Sequence, residues 1–189
     1  MLFACVSGAD AAPATSGTCG SSVNWTLGDD GTLSISGTGA MDDWTSAEDV
    51  PWNAHADKIK TVEISDGVTT VGDSAFSGCY YLTSVTLGAD IASVGEFAFH
   101  MCFGLTSIDL PEGTASIGRS AFMGCSSLGT VTIPDSVTEI EDSAFLGCIG
   151  LEKVVAGNGL TSVAANAFSV EFCDYTGTTA IDPSVVADF

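Results

Sequence analysis

Positive charge is nearly absent from this chain of 189 residues: Lys58, Lys60, Arg119 and Lys153 stand against 24 acidic side chains, a formal net charge of −20. So acidic a chain repels nucleic-acid phosphates and anionic membrane surfaces, which excludes both as partners. Imidazole is almost as scarce, since His55 and His100 are the only histidines. No stretch is long and apolar enough to insert into a membrane. No G-x-S-x-G, H-E-x-x-H, phosphate-loop or twelve-residue EF-hand pattern occurs. The acid pairs Asp29-Asp30 and Asp42-Asp43 sit in turn-like sequence without the opposed third group that acid–base catalysis needs. The expectation is therefore no enzyme, no metal and no cofactor. Charged residues make up only 15% of the chain while hydrophobic ones make up 46%, too apolar for a disordered polymer. The length suits one domain with a substantial core.

The cysteines are more informative by position than by number. Cys79, Cys102, Cys125 and Cys148 are 23 residues apart, and the same interval runs through many columns. Five units follow, Ala56 to Gly78, Cys79 to Met101, Cys102 to Gly124, Cys125 to Gly147 and Cys148 to Val170. Each carries an Ala-Phe pair ending in Phe76, Phe99, Phe122, Phe145 or Phe168, and an aliphatic column of Ile59, Leu82, Leu105, Leu128 and Leu151. Three residues on come Val62, Val85, Ile108, Val131 and Val154, and later Val71, Val94, Ile117, Ile140 and Val163. A unit reads L-x-x-V-x-L, a turn, V-x-x-V/I-G, then D/E-x-A-F-x-G-C. Alternation and β-branching in the first segment mark a short strand. The last segment reads as one helical turn, with Asp73, Glu96 and Asp142 at its start and Gly78, Gly124 and Gly147 at its stop. No unit can bury its apolar columns alone, so the units stack, with parallel coils about 4.8 Å apart.

L-x-x-V-x-L at this period is the leucine-rich-repeat signature. The form CSSLGTVTIPDSVTEIEDSAFLGC, Cys125 to Cys148, closely resembles the repeats of BspA-like, or treponemal-type, bacterial surface proteins. Gly17 to Trp44, followed by Pro51-Trp52, is similar to the N-terminal capping region of that family. The resemblance implies an α/β repeat, a right-handed leucine-rich-repeat solenoid with short parallel strands. It also implies a secreted or cell-surface protein of a host-associated bacterium whose repeats bind host or bacterial surface proteins or glycans. It brings no catalytic residues.

Residues 17–55 are expected to cap the first coil through a hairpin of Val23 to Leu27, the turn Gly28-Asp29-Asp30-Gly31, and Thr32 to Ser36. Trp25, Trp44 and Trp52 then belong to the cap core, the alternative being a sugar-stacking platform. Residues 56–170 form the array. Residues 1–16 read as the remnant of a signal peptide or a disordered leader, with Leu2 to Cys5 resembling a lipobox. Residues 171–189, where Cys173 falls out of register, read as a C-terminal cap or a truncated continuation. The periodic cysteines read as a buried, reduced ladder, since parallel side-chain vectors resist disulfide geometry and a line of thiols is not a tetrahedral zinc site.

Two surfaces are candidates for binding. Residues alternating with the apolar columns of the first strand, among them Glu63, Thr86, Asp109 and Thr132, point out of a flat polar concave face. Tyr80 and Phe103 hold the same position on neighbouring coils with Tyr81 alongside. Either these rings form an exposed apolar patch or they are partly buried packing between strand and turn. A binding module and a structural spacer that projects other domains of a longer protein are the two functional readings.

Overall fold

The structure of the chain, a computed structural model, describes residues 14–169. The lipobox-like Cys5 and the tail with Cys173 lie outside the described residues. Within them run β1 (Ser16–Thr18), β2 (Val23–Leu27), β3 (Thr32–Gly37) and β4 (Gly39–Ala40), then two 3-10 turns at Ala47–Asp49 and Asn53–His55. The repeats supply β5 (Thr61–Ile64), β6 (Val68–Val71), β7 (Ser84–Thr86), β8 (Ser93–Val94), β9 (Ser107–Asp109) and β10 (Ser116–Ile117). β11 (Thr130–Ile133), β12 (Glu139–Ile140), β13 (Lys153–Ala156) and β14 (Ser162–Val163) complete them.

The chain winds as a leucine-rich-repeat-like solenoid of parallel strands, each pairing between repeats joining residues one period apart. In the first column Val62 faces Val85, and Val131 faces both Ile108 and Val154. That column falls into two sheets, β1-β2-β3-β5-β7 and β9-β11-β13. A second ladder, β4-β6-β8-β10-β12-β14, is built from the V-x-x-V/I segments, which the sequence marked only as aliphatic columns. At the N-terminal end β2 and β3 pair antiparallel, and β3 continues in parallel register onto β5, Leu33 opposite Val62. β1, which the sequence does not advertise, pairs outside β2.

Between the two ladders lies the core. Phe76, Phe99, Phe122 and Phe145 are fully buried. Their rings stack with Phe168 in one file, with successive centroids 5.1, 5.2, 5.1 and 4.9 Å apart. Trp52 extends the file at its N-terminal end, stacked on Phe76 at 5.6 Å and flanked edge-on by Trp25 and Trp44. Trp25 and Trp52 are buried, and the Trp52 indole N–H donates to the Ala75 carbonyl at 2.9 Å. These are core rings, not a sugar platform. Beside them Cys79, Cys102, Cys125 and Cys148 are buried and free. The last three donate Sγ–H to the Phe76, Phe99 and Phe122 carbonyls at 3.2 Å. Burial pushes the Cys79 and Cys148 thiols up to about 12, which keeps them protonated and inert at neutral pH.

The expected helical turn in each coil does not form. Among the described residues there is no α-helix, and both 3-10 turns precede the array. Backbone conformation and donor geometry explain why. Ser74, Phe97, Ser120 and Ser143 occupy the left-handed region, with φ of 58, 55, 55 and 59°. The N–H groups of Ser74, Phe76 and Gly78 then donate to the carbonyls of Glu96, Ala98 and His100 on the next coil at 2.8, 2.7 and 2.9 Å. A single helical turn leaves its first N–H groups without a partner in the turn; here the next coil takes alternate donors, while the N–H groups of Ala75, Ser77 and Cys79 bond within the turn to the Gly72, Ser74 and Phe76 carbonyls. The acids change role accordingly. Asp73 Oδ1 accepts the Glu96 N–H at 2.7 Å instead of capping its own turn, and Asp66 and Asp135 accept the N–H groups of Ala89 and Asn158 at 2.8 Å.

Two predictions arise from this turn. The position after the Phe-x pair is left-handed in four successive units, Gly78, Met101, Gly124 and Gly147, and only Met101 (φ 59°) carries a side chain there. Met101→Gly is expected to stabilise the fold by about 1 kcal/mol, seen as a raised urea midpoint with an unchanged slope. Partial burial raises the Asp73 carboxyl above its ordinary range, with Asp43 and Glu96 adding repulsion. The folded state therefore binds that proton more readily than the unfolded chain, and stability falls as pH rises through the window between the two values. Asp73→Asn keeps the acceptor and removes the charge. It is expected to raise the melting temperature near neutral pH and to lose that advantage below the ordinary Asp range, which paired thermal melts would check.

Candidate binding surface

In four of the five coils the chain passes from a buried Cys to a buried Leu with two residues between them, and those two are forced outward. Cys79 and Leu82 anchor the first such bulge at 2% and 0% exposure. The Leu82 N–H donates to the Cys79 carbonyl at 3.1 Å, and the Tyr80 N–H turns back onto the Gly78 carbonyl at 2.8 Å. The same short contact holds Phe103 to Met101 at 2.8 Å and Ile149 to Gly147 at 2.9 Å. The backbone under this column is thus fixed by the left-handed residue two places earlier.

Of the two alternatives for these rings, exposure is the one observed. Tyr80, Tyr81 and Phe103 are 51%, 62% and 42% exposed. Tyr80 and Phe103 stack nearly parallel, with centroids 5.3 Å apart and planes 10° apart. Tyr81 has Gly104 as its counterpart on the next coil. A Cβ at Gly104 would meet the Leu82 carbonyl oxygen at 2.9 Å, so no side chain can grow there to cover the ring. Ile149 occupies the Tyr80 column two coils beyond Phe103 and is 69% exposed, and the sequence reading did not single it out. Its signal was present, as an aliphatic residue in a column otherwise polar or aromatic.

Glu63, Thr86, Asp109 and Thr132 are exposed, with Glu63 directly across from Thr86 and Asp109 across from Thr132. The structure joins them in two pairs, each on a separate sheet. They can offer hydrogen bonds but little apolar area.

Elsewhere, His100 is half-buried, its Nδ1 3.3 Å from Ser77 Oγ, and burial lowers its affinity for a proton. Arg119 reaches back one coil to Glu96 at 2.6 Å and lies 5.5 Å from the Phe97 ring centre, a lateral tie that no sequence column announced. A cavity of about 410 Å³ at the β2–β3 turn is lined by Asp29, Asp30, His55, Asp57, Lys58 and Lys60 among others. Among the described residues no group of three or more His, Cys, Asp and Glu is placed to hold a metal ion.

Comparison with known proteins bears on the whole array. A family model described as BspA type leucine rich repeat region, in 6 copies, matches residues 54–173. The chain is similar to a leucine-rich repeat protein from Eubacterium ventriosum at 30% identity and a TM-score of 0.60, covering 77% of this chain and 45% of that one. A leucine rich cell surface protein from Faecalibacterium prausnitzii is similar at 25% identity and a TM-score of 0.52, covering 80% and 51%. The T. pallidum leucine rich repeat protein, at 22% identity and a TM-score of 0.51 over 77% and 85%, shares the fold. The chain spans about half the length of the first two. No curated protein matches it.

Proposed function

Because this chain belongs to the BspA-type leucine-rich-repeat family, we propose that it is a non-catalytic bacterial module, secreted or at the cell surface, that binds a protein or a glycan in adhesion or host contact. The observation that carries this reading is the stacked, exposed Tyr80–Phe103 pair with Tyr81 beside it. Aromatic rings held in the open by a fixed backbone are the composition of binding hot spots. Surface location is supported by the likeness to the Faecalibacterium cell surface protein. In this reading β2 and β3 act as the N-terminal cap, since they close the edge that β5 would otherwise expose. The coils wind in the right-handed sense that parallel connections favour.

The test is an array of glycans and surface proteins probed with the wild type and with Tyr80→Ala/Phe103→Ala. Loss of a bound ligand by about tenfold or more, at unchanged melting temperature, is the expected result. Identical profiles would reject the aromatic patch. A spacer role is the second reading, favoured by the alignment spanning only about half of two similar chains. It predicts blank arrays for both proteins.

A further inference from the structure

The chain places glycine directly after Asp or Asn at three steps, Asp30-Gly31, Asp66-Gly67 and Asn158-Gly159. A backbone can react with itself at such a step, because glycine puts no side chain in the way when its nitrogen turns on the preceding Cγ. Each Asp or Asn of the three is exposed and lies in a turn, so exposure does not distinguish them. Their hydrogen bonds do. Asp30 Oδ1 accepts the Thr32 N–H at 2.9 Å, and the Gly31 N–H donates to the Gly28 carbonyl at 3.0 Å. Asp66 Oδ1 accepts the Ala89 N–H and the Gly67 N–H donates to Asp90 Oδ2, both at 2.8 Å. At the third step Asn158 engages only its backbone N–H, which donates to Asp135 Oδ1 at 2.8 Å. Among the described residues its side-chain amide and the Gly159 N–H have no partner. Packing also fixes the glycine, since a Cβ at position 159 would lie 1.8 Å from the Asp135 carbonyl oxygen. The other asparagines are held differently. Asn24 and Asn53 precede Trp25 and Ala54, and Asn166 exchanges hydrogen bonds with Ser143 at 3.4 and 3.1 Å.

We propose that Asn158-Gly159 is a site at which the folded chain modifies itself by deamidation. The Gly159 nitrogen, giving its proton to solvent base, bonds to Asn158 Cγ; the Cγ–Nδ2 bond breaks and ammonia leaves. Water then opens the succinimide. Cleavage at Cγ gives aspartate, whereas cleavage at the main-chain carbonyl gives isoaspartate, in which the chain runs through the former side chain. Asparagine and water have become a carboxylate and ammonia. Either product sets a new negative charge on the residue whose N–H Asp135 holds. Isoaspartate also lengthens the backbone by one methylene, just before β14 pairs residue for residue with β12.

Ageing of the full chain in mildly alkaline buffer, natively and in urea, tests this by peptide mass analysis and isoaspartyl methyltransferase labelling. Native Asn158 is expected to convert at a rate close to its rate in urea. Asp66→Asn places the same chemistry in a turn whose hydrogen bonds must open first. In that variant position 66 is expected to convert about tenfold more slowly than Asn158 when folded, and at a similar rate in urea. Native Asn158 that stays intact while the urea sample converts, or equal rates at the two positions in the folded variant, would overturn the proposal. Amide exchange reports the lengthened backbone. The Thr161 and Ser162 N–H groups donate to the Thr138 carbonyl at 2.9 and 3.1 Å, and their exchange is expected to quicken in the aged protein but not in Asn158→Asp, which adds charge alone. Exchange in the aged protein no faster than in Asn158→Asp would overturn the effect assigned to isoaspartate.

Discussion

Phe122→Ala is expected to destabilise the protein by about 4 kcal/mol, within the range of roughly 3–5 kcal/mol for removing a buried Phe. The ring is fully buried and stacked on both sides, against Phe99 at 5.2 Å and Phe145 at 5.1 Å. Its loss therefore opens a cavity in the middle of the file and removes two stacking contacts, with ladders on either side that hold the walls apart. A domain of this kind has about 5–15 kcal/mol in total, so the urea midpoint should fall by about 2 M at an ordinary slope of about 2 kcal/mol/M. Phe122→Leu should retain about half of the loss. A cost below about 1 kcal/mol would mean that the file collapses around the gap and that stacking contributes little.

Trp52→Ala is the second large effect, also expected at about 4 kcal/mol, and it acts at the other end of the file. The indole is 1% exposed, stacks on Phe76, meets Trp25 and Trp44 edge-on, and donates to the Ala75 carbonyl at 2.9 Å. Removing it separates the N-terminal strands from the first coil, so the remaining Trp25 and Trp44 should shift their fluorescence to the red before the array melts. Trp52→Phe keeps the stack on Phe76 and loses the hydrogen bond, which is worth about 1 kcal/mol. If Trp25 and Trp44 report the same single transition as the array in both variants, the strands and the coils form one cooperative unit.

The repeat, its 23-residue period and every buried column could be read from the sequence because burial demands apolar residues at fixed positions and stacking repeats the demand. Val23 to Leu27 and Thr32 to Ser36 were legible for a related reason, two alternating runs around a Gly/Asp turn. The segment containing Asp73 to Gly78 misled for an equally physical one. An acid, a small polar residue, Ala-Phe and a Gly are good helix punctuation, but they are also what a turn needs when its N–H groups bond to the next coil. Local sequence does not say whether a donor is satisfied within its turn or by its neighbour. The binding column lay between. That Tyr80 and Phe103 would stack followed from their shared position, whereas their exposure depended on Cys79 and Leu82 pulling the chain inward on both sides and on Gly104 leaving Tyr81 uncovered.

The bonds that replace the helix have a consequence for how such a chain can change length. Each coil offers its neighbour the same donors at the Ser74, Phe76 and Gly78 positions and meets backbone acceptors at the same positions, apart from Ser143, whose N–H goes to the Asn166 side chain, so the joint between coils is close to generic. Loss or duplication of one whole unit, such as Cys102 to Gly124, removes or adds a rung and rejoins surfaces that already match. An insertion of any other length throws the Phe, Cys and Leu files out of phase together. Descendants of this sequence are therefore free to differ in the number of rungs, and constrained in almost nothing else so tightly as in the count of residues between them.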